Sequence, residues 1–383
     1  MTTEQKLLID TLACALKGKA YTVPEIVDWR QFISLSTRHG VAPLVYDGLQ
    51  KAGNWELLPP PAKKILSDAY HTAVFQDVQF MHLKKTLEEK LTEANVPHIF
   101  LKGASLKKDY PEPALRTMCD VDVLVHREDY SKIDKIAQEM HAKAEMGDGN
   151  HHNYCFPGNL KVEFHPKLIH HDTPVGTGIN PGWQYATPDG TDLTPEGFYL
   201  NTICHLANHF VADGVGVRFL CDVWVNRNLR KPQPDWEIVN AELMRFGLLD
   251  FAHNIENLTK CWFDGGEETA LLQELGDYIL SEGQSGEESR KVLNAAALSA
   301  RQSGAAVLLK RIFPSREDLE SRFRWCVGKP LLLPIAWLVR CIRVVTRRAG
   351  ISLEWTKEAG RLTKEEISRQ KEMLSRFGIQ PKK

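Results

Sequence analysis

The stretch Met118-Cys119-Asp120-Val121-Asp122-Val123-Leu124-Val125 constrains this chain more than any other. Its alternating valines predict a buried strand, and successive side chains on a strand point to opposite faces. Asp120 and Asp122 therefore share one face, with Leu124 further along it, while Val121, Val123 and Val125 turn into apolar packing on the other. Two carboxylates about 6–7 Å apart, at about 3.3 Å per residue, repel unless something cationic sits between them. A divalent ion answers that need, and oxygen ligands suit Mg2+ or Mn2+ better than zinc. Two solvated acids at a strand edge are the plain alternative, so the flanking sequence has to decide.

The pattern around this strand changes twice. Residues 1–95 read as helical, with Leu7, Leu8, Leu12, Ala15 and Leu16 at helical spacing and a second helix after Pro24. A long helix follows Pro59-Pro60-Pro61 to about Ala94, with Ile65, Ala69, Val74, Val78, Met81, Leu83 and Leu87 as its expected apolar face. Asn95 then sits where a left-handed residue closes a helix. Residues 96–190 read as a small α/β unit. In order come the strand Val96-Pro97-His98-Ile99-Phe100-Leu101, the turn Lys102-Gly103-Ala104-Ser105, the acidic strand, a helix from Asp129 to His141, and the strand Leu160-Lys161-Val162-Glu163-Phe164-His165. Residues 191–383 return to helix, with breaks expected at Gly247, at Gly265-Gly266 and between Gly283 and Gly286. The tail from Lys357 is charged, and its last residues are expected to fray. The fold class is thus α+β: a small mixed sheet with helices, embedded in helical N- and C-terminal regions.

With 383 residues the chain has room for two or three domains. A formal net charge of −1 gives no global argument for nucleic acid as a partner. The eight cysteines form no Cys-x-x-Cys pair, which predicts reduced, mostly buried thiols in a cytoplasmic protein. The N-terminus lacks a signal-peptide core, and no apolar run reaches the ~18 residues a membrane span needs, so a soluble protein is expected.

Taken as one site, the α/β unit can do chemistry. Glu163 lies on a strand whose other face is apolar, so it can stand beside Asp120 and Asp122 with its carboxylate toward them. Three converging carboxylates could hold one or two Mg2+ ions that clamp nucleotide phosphates. In-line attack on an α-phosphorus then depends mainly on positioning and charge neutralisation. Lys102, Gly103 and Ser105 supply a cation, backbone N–H groups and a hydroxyl for the β- and γ-phosphates, and Arg116 is a second cation for the triphosphate.

The order strand, Gly-Ala-Ser turn, helix, Arg, Asp-x-Asp strand, helix, Glu strand resembles the nucleotidyltransferase superfamily with its polymerase-β-like fold. More closely, Phe100-Leu101-Lys102-Gly103, Tyr110, Arg116 and Asp120 to Val125 resemble the uncharacterised nucleotidyltransferase family of bacterial biosynthetic clusters. Val162-Glu163-Phe164-His165, Cys204-His205-Leu206-Ala207-Asn208-His209 and Arg218-Phe219-Leu220-Cys221-Asp222 carry the resemblance further, over about residues 25–230. It implies that Asp120 and Asp122 bind metal with Glu163 as the third acid. The turn departs from the wider superfamily, with Gly103-Ala104-Ser105 in place of Gly-Ser and a longer gap to the Asp pair, which bears on triphosphate binding more than on the metal.

The histidines offer other readings. His205 and His209 are four apart on a predicted helix and share a face. The general-base Glu of a His-Glu-x-x-His metalloprotease is replaced by Leu206. These histidines could bond Asp222 or a backbone carbonyl, or line an acceptor pocket opposite the metals, where a histidine or Asp222 would take a proton from the acceptor hydroxyl. His151, His152, His165, His170 and His171 form a second cluster at no standard zinc spacing; His165 shares its strand face with Glu163, and the other four read as loop residues. The apolar run Leu331 to Arg340, leading into the basic stretch Cys341 to Arg348, fits a terminal helix docked on the body, weak contact with a membrane surface, or an arginine-rich end that meets an anionic acceptor or carrier.

The sequence therefore predicts a Mg-dependent nucleotidyltransferase that joins an NMP from an NTP to an unidentified small-molecule or protein acceptor. Two other classes stand beside it: an inactive nucleotide-binding or scaffold protein, and a zinc-dependent hydrolase built on the histidines.

Overall fold

Local signals start the first helix and the long helix after Pro59 where the sequence places them, but the second helix starts at Trp29, capped by the Asp28 side chain, and not at Pro24. In the computed structural model, which describes residues 1–145, 152–169, 175–283 and 288–299, parts of 313–347, and residues 356–380, Thr2 caps helix α1 (Thr3–Lys17) through a capping box with Gln5. Helices α2 (Trp29–Arg38), α3 (Ala42–Lys51) and α4 (Pro60–Glu93) follow, and Asn95 takes the expected positive φ of 51°. The apolar face of α4 differs from expectation: Ile65, Val78 and Met81 are exposed, and Ala62, Leu66, Ala73, Phe80, Leu83, Leu87 and Leu91 are buried. Over 34 residues two different neighbours claim different stripes of the helix, so no single spacing describes it. Leu66 joins the helical core, whereas Phe80, Leu83, Leu87 and Leu91 pack under the sheet.

The sheet has five strands in the order β1-β2-β5-β4-β3, formed by β1 (His98–Phe100), β2 (Asp120–Val125), β3 (Lys143–Glu145), β4 (His152–Phe156) and β5 (Leu160–His165). The β2 and β5 strands run parallel, and every other neighbouring pair is antiparallel. Short helix α5 (Gly103–Leu106) follows β1, and α6 (Tyr130–Glu139) crosses between β2 and β3. His152 lies on β4, not in a loop as its polar neighbours suggested. His151, His170 and His171 lie outside the described residues.

The two faces of the sheet meet different partners. Val121, Val123, Val125, Val162 and Phe164 pack with α4 and with Ile133, Ile136 and Ala137 of α6. Ile99, Leu101 and Leu124 instead join a larger core with helices α7 (Pro195–Ala212), α8 (Val217–Asn228), α9 (Trp236–Phe246), α10 (Leu249–Thr259) and α11 (Ala270–Glu282). That core also takes in α1–α3 and Leu374, Phe377 and Ile379 near the C-terminus, so N- and C-terminal helices share one interior. The charged tail builds a capped helix, Lys364–Arg376, against α12 (Glu288–Leu298). Each fully buried side chain of this size adds about 1.5–3 kcal/mol. The acidic face of β2 and β5 is thereby pressed toward the helical side of the molecule.

Candidate active site

Strand register builds the site. Asp122 pairs with Glu163, Asp120 with Lys161 and Leu124 with His165 across β2 and β5. With a pleat of period two, all six side chains take the same face. Asp122, Glu163 and His165 bring ligand atoms within 4.8 Å of one another, the one such cluster of metal-binding residue types among the described residues. Asp120, one pleat away at the strand start, is half-buried and outside that cluster.

Lys102 follows β1 directly, where the N–H of Leu101 donates to the carbonyl of Asp122 at 2.9 Å. Its φ of 48° and ψ of −124° lie in a region that costs a non-glycine residue about 1–3 kcal/mol. That backbone turns the ammonium onto the acids: Lys102 Nζ donates to Asp122 Oδ1 at 2.8 Å. His165 Nε2 lies 2.7 Å from the same oxygen and 3.6 Å from Glu163 Oε2. Asn153 on β4 donates Nδ2 to Glu163 Oε1 at 3.2 Å, and its buried Oδ1 has no partner. Ser105 is buried behind the turn, with its N–H given to the carbonyl of Lys102.

Charge at the site is unbalanced. Burial pushes the Asp122 carboxyl up, but Lys102 and His165 outweigh it and hold it well below the ordinary range. Burial raises Asp120, and Asp122 raises it further against Lys102, His165 and Arg218. Glu163 is raised by burial, with His165 opposing and the two aspartates adding to it. Lys102 is raised because Asp122 and Asp120 overcome its burial. Lys102 and His165 both meet Asp122, whereas Glu163 has the neutral Asn153 amide and His165 at 3.6 Å. Hard oxygen donors with surplus negative charge, beside the unpartnered Asn153 Oδ1, fit a divalent cation such as Mg2+ or Mn2+.

Arg116 and Asp222, beside the same turn, are paired with each other. Arg116 donates Nε and Nη2 to the two oxygens of Asp222 at 3.1 and 2.7 Å, and both side chains are buried. Tyr110 donates its hydroxyl to Asp222 at 2.6 Å. This bidentate pair ties the segment before β2 to α8. It also explains Gly103: a Cβ there would lie 2.4 Å from Arg116 Nη1.

Helix α7 faces the turn. A narrow cleft is lined by Lys102, Leu106, Arg116, Asn201, His205 and Phe219. His205 and His209 stack edge to face with centroids 4.3 Å apart, and His209 Nδ1 lies 3.4 Å from Asp213. Burial, with Lys102 nearby, keeps His205 neutral, and burial lowers His209 to about 4 against the pull of Asp213. Two residues escape sequence reasoning, Asn153 and Asn201, while Arg218 enters it only within the family resemblance and with no role assigned. Asn201 lines the cleft, is 2 % exposed and has a buried Oδ1 without a partner among the described residues. Arg218 donates Nη1 to Thr117 O at 2.9 Å and has an unpartnered Nε. Neither periodicity nor spacing marks these residues, because their importance comes from neighbours distant in sequence.

The mixed sheet thus sets an Asp-x-Asp strand beside a Glu strand, with the lysine turn bonded to Asp122. The profile described as "Uncharacterised nucleotidyltransferase" matches residues 25–264, and the chain belongs to that family. Membership supports a general nucleotidyltransferase role and a nucleotide substrate. No curated protein and no solved structure matches the chain.

Proposed function

We propose that the protein transfers a nucleoside monophosphate from an NTP to a hydroxyl or amine of a small-molecule or protein acceptor. A bond forms between the acceptor atom and the α-phosphorus, the bond to the bridging oxygen breaks, and pyrophosphate leaves. The observation that carries this reading is the parallel register placing Asp122 abreast of Glu163 under Lys102. Asp120, Asp122 and Glu163 would hold Mg2+ or Mn2+, which when bound supplies Lewis-acid polarisation and neutralises phosphate charge.

The chain's own residues then divide the work. Lys102 is displaced from Asp122 and turns its ammonium to the triphosphate beside Gly103 and Ser105. His165 fixes the orientation of Asp122. Arg116 and Asp222 position the turn and α8 through their mutual ion pair, rather than by meeting phosphate or removing a proton. Neutral His205 accepts a hydrogen bond from the incoming acceptor, with His209 and Asn201 behind it. The eight free thiols support a reducing, cytoplasmic setting. Among them Cys14, Cys204, Cys221 and Cys326 are buried, Cys119 is exposed, and Cys155, Cys261 and Cys341 lie between.

Calorimetric titration of each NTP, with and without Mg2+, tests the site on wild type and on the Asp120→Ala/Asp122→Ala variant. Mg2+-dependent binding that the double substitution removes is expected. A wild-type protein that binds no NTP with Mg2+ or Mn2+ would overturn the proposal. Tight binding without pyrophosphate release across a broad acceptor screen would favour the nucleotide-binding scaffold. Stoichiometric zinc by elemental analysis would favour the hydrolase.

A further inference from the structure

Arg218 brings to the site a charge that the described residues do not neutralise. It is the second residue of α8, with Nη1 donating to the carbonyl of Thr117 at 2.9 Å and the guanidinium 5.4 Å from the Phe219 ring centre. Its Nε is buried without a hydrogen-bond partner, and it forms no ion pair among the described residues. Asp222, one turn further along α8, does not serve it: that carboxylate takes Arg116 on both oxygens and the Tyr110 hydroxyl besides.

Asp120 is the matching acid. Lys102 and His165 both meet Asp122, two residues on, while no described side chain donates to the Asp120 carboxylate. Thr117, whose carbonyl holds Arg218, is three residues before Asp120, so their α-carbons are at most about 11 Å apart. The charge of Arg218 is felt there, since it helps to pull the Asp120 carboxyl down against burial. Phe219, under the guanidinium, lines the cleft together with Lys102.

Two unlike charges held this near and not bonded to each other suit a ligand that carries both signs. The acid calls for a cation and the guanidinium for anionic oxygens, which its planar fork takes in pairs. A divalent metal bound to a polyphosphate supplies both at once. An anionic acceptor by itself answers only the guanidinium.

We infer that Arg218 grips the polyphosphate of the incoming NTP beside Asp120, an assignment that rests on the proposed transfer reaction. It takes the part that sequence alone suggests for Arg116.

Calorimetric titration of the full chain tests this, with each common NTP and with pyrophosphate in the presence of Mg2+, and with Mn2+ alone. Arg218→Gln, which can still donate to Thr117, should weaken NTP and pyrophosphate binding by at least about tenfold. Arg218→Lys keeps the charge without the fork and should recover part of that loss. Mn2+ alone should bind Arg218→Gln at least as well as wild type, since a nearby positive charge is gone, and the thermal unfolding midpoint should not fall, since no ion pair is broken. A wild type that binds NTP, beside an Arg218→Gln protein that binds it equally well, overturns the assignment and leaves the transfer reaction standing. So does a variant that loses NTP, pyrophosphate and Mn2+ together with a lowered midpoint, because Arg218 then only supports the fold. A wild type that binds no NTP with either metal overturns the transfer reaction, and the role of Arg218 with it.

Discussion

Replacing Arg116 by Met separates two roles for that residue. The sequence suggests a triphosphate ligand, whereas the structure buries its guanidinium in a bidentate pair with Asp222 at 3.1 and 2.7 Å. Both side chains are more than nine-tenths buried, and the Tyr110 hydroxyl adds a third bond to the same carboxylate. Removing one partner of such a pair strands the other charge, at a cost of about 3–5 kcal/mol. Arg116→Met and Asp222→Leu should each lower stability by that order in urea unfolding followed by tryptophan fluorescence. The double variant should recover part of the loss, because no charge is left stranded. A coupling energy of about 2 kcal/mol or more is expected, against about 0.5 kcal/mol for residues that act independently. Additive losses would refute the reasoning. So would an Arg116→Met protein of unchanged stability that loses NTP binding, since Arg116 would then meet phosphate directly.

Three further outcomes follow from the geometry. Lys102→Met removes the cation that shares Asp122 with any incoming metal, so affinity for Mn2+ alone should rise while NTP affinity falls, each by about tenfold, or 1.4 kcal/mol, in calorimetry; a parallel fall in both would count against displacement of Lys102. Gly103→Ala places a methyl group against Arg116 Nη1 and should cost about 1–3 kcal/mol, read as a lower thermal midpoint. His39, fully buried and accepting the Val217 N–H at 3.3 Å, is lowered by burial to about 4 from 6.5. Its folded ring resists a proton that the unfolded chain accepts, so its contribution is complete above pH ~6.5 and drains away toward pH ~4. Acidification from about pH 7 to about pH 5 should cost about 2 kcal/mol through this residue, and His39→Asn should flatten that slope.

Local order was legible because it depends on local spacing. Alternation in Asp120–Val125 and Leu160–His165 fixes which side chains share a strand face, and the structure forms both strands over those residues. The left-handed Asn95 likewise follows from the conformational preference of a single residue. Strand β4 is not legible in the sequence because His152, Asn153 and Cys155 outnumber Tyr154 and Phe156, and only sheet pairing on both sides makes it a strand. The apolar face of α4 departs from its spacing for a related reason: a helix this long serves two cores, and spacing does not say which neighbour lies where.

The sequence alone thus determined the α+β class, the acidic strand, its glutamate companion and the lysine turn, since each is written within a few consecutive residues. Tertiary structure decided how they are used. Parallel pairing set Asp122 beside Glu163 and left Asp120 at the margin, and a strained Lys102 chose Asp122 as its partner. Arg116 was drawn to Asp222, 106 residues away, because a buried cation takes the nearest carboxylate that can also be buried. Periodicity says which residues lie together on a face; only the folded chain says what that face meets.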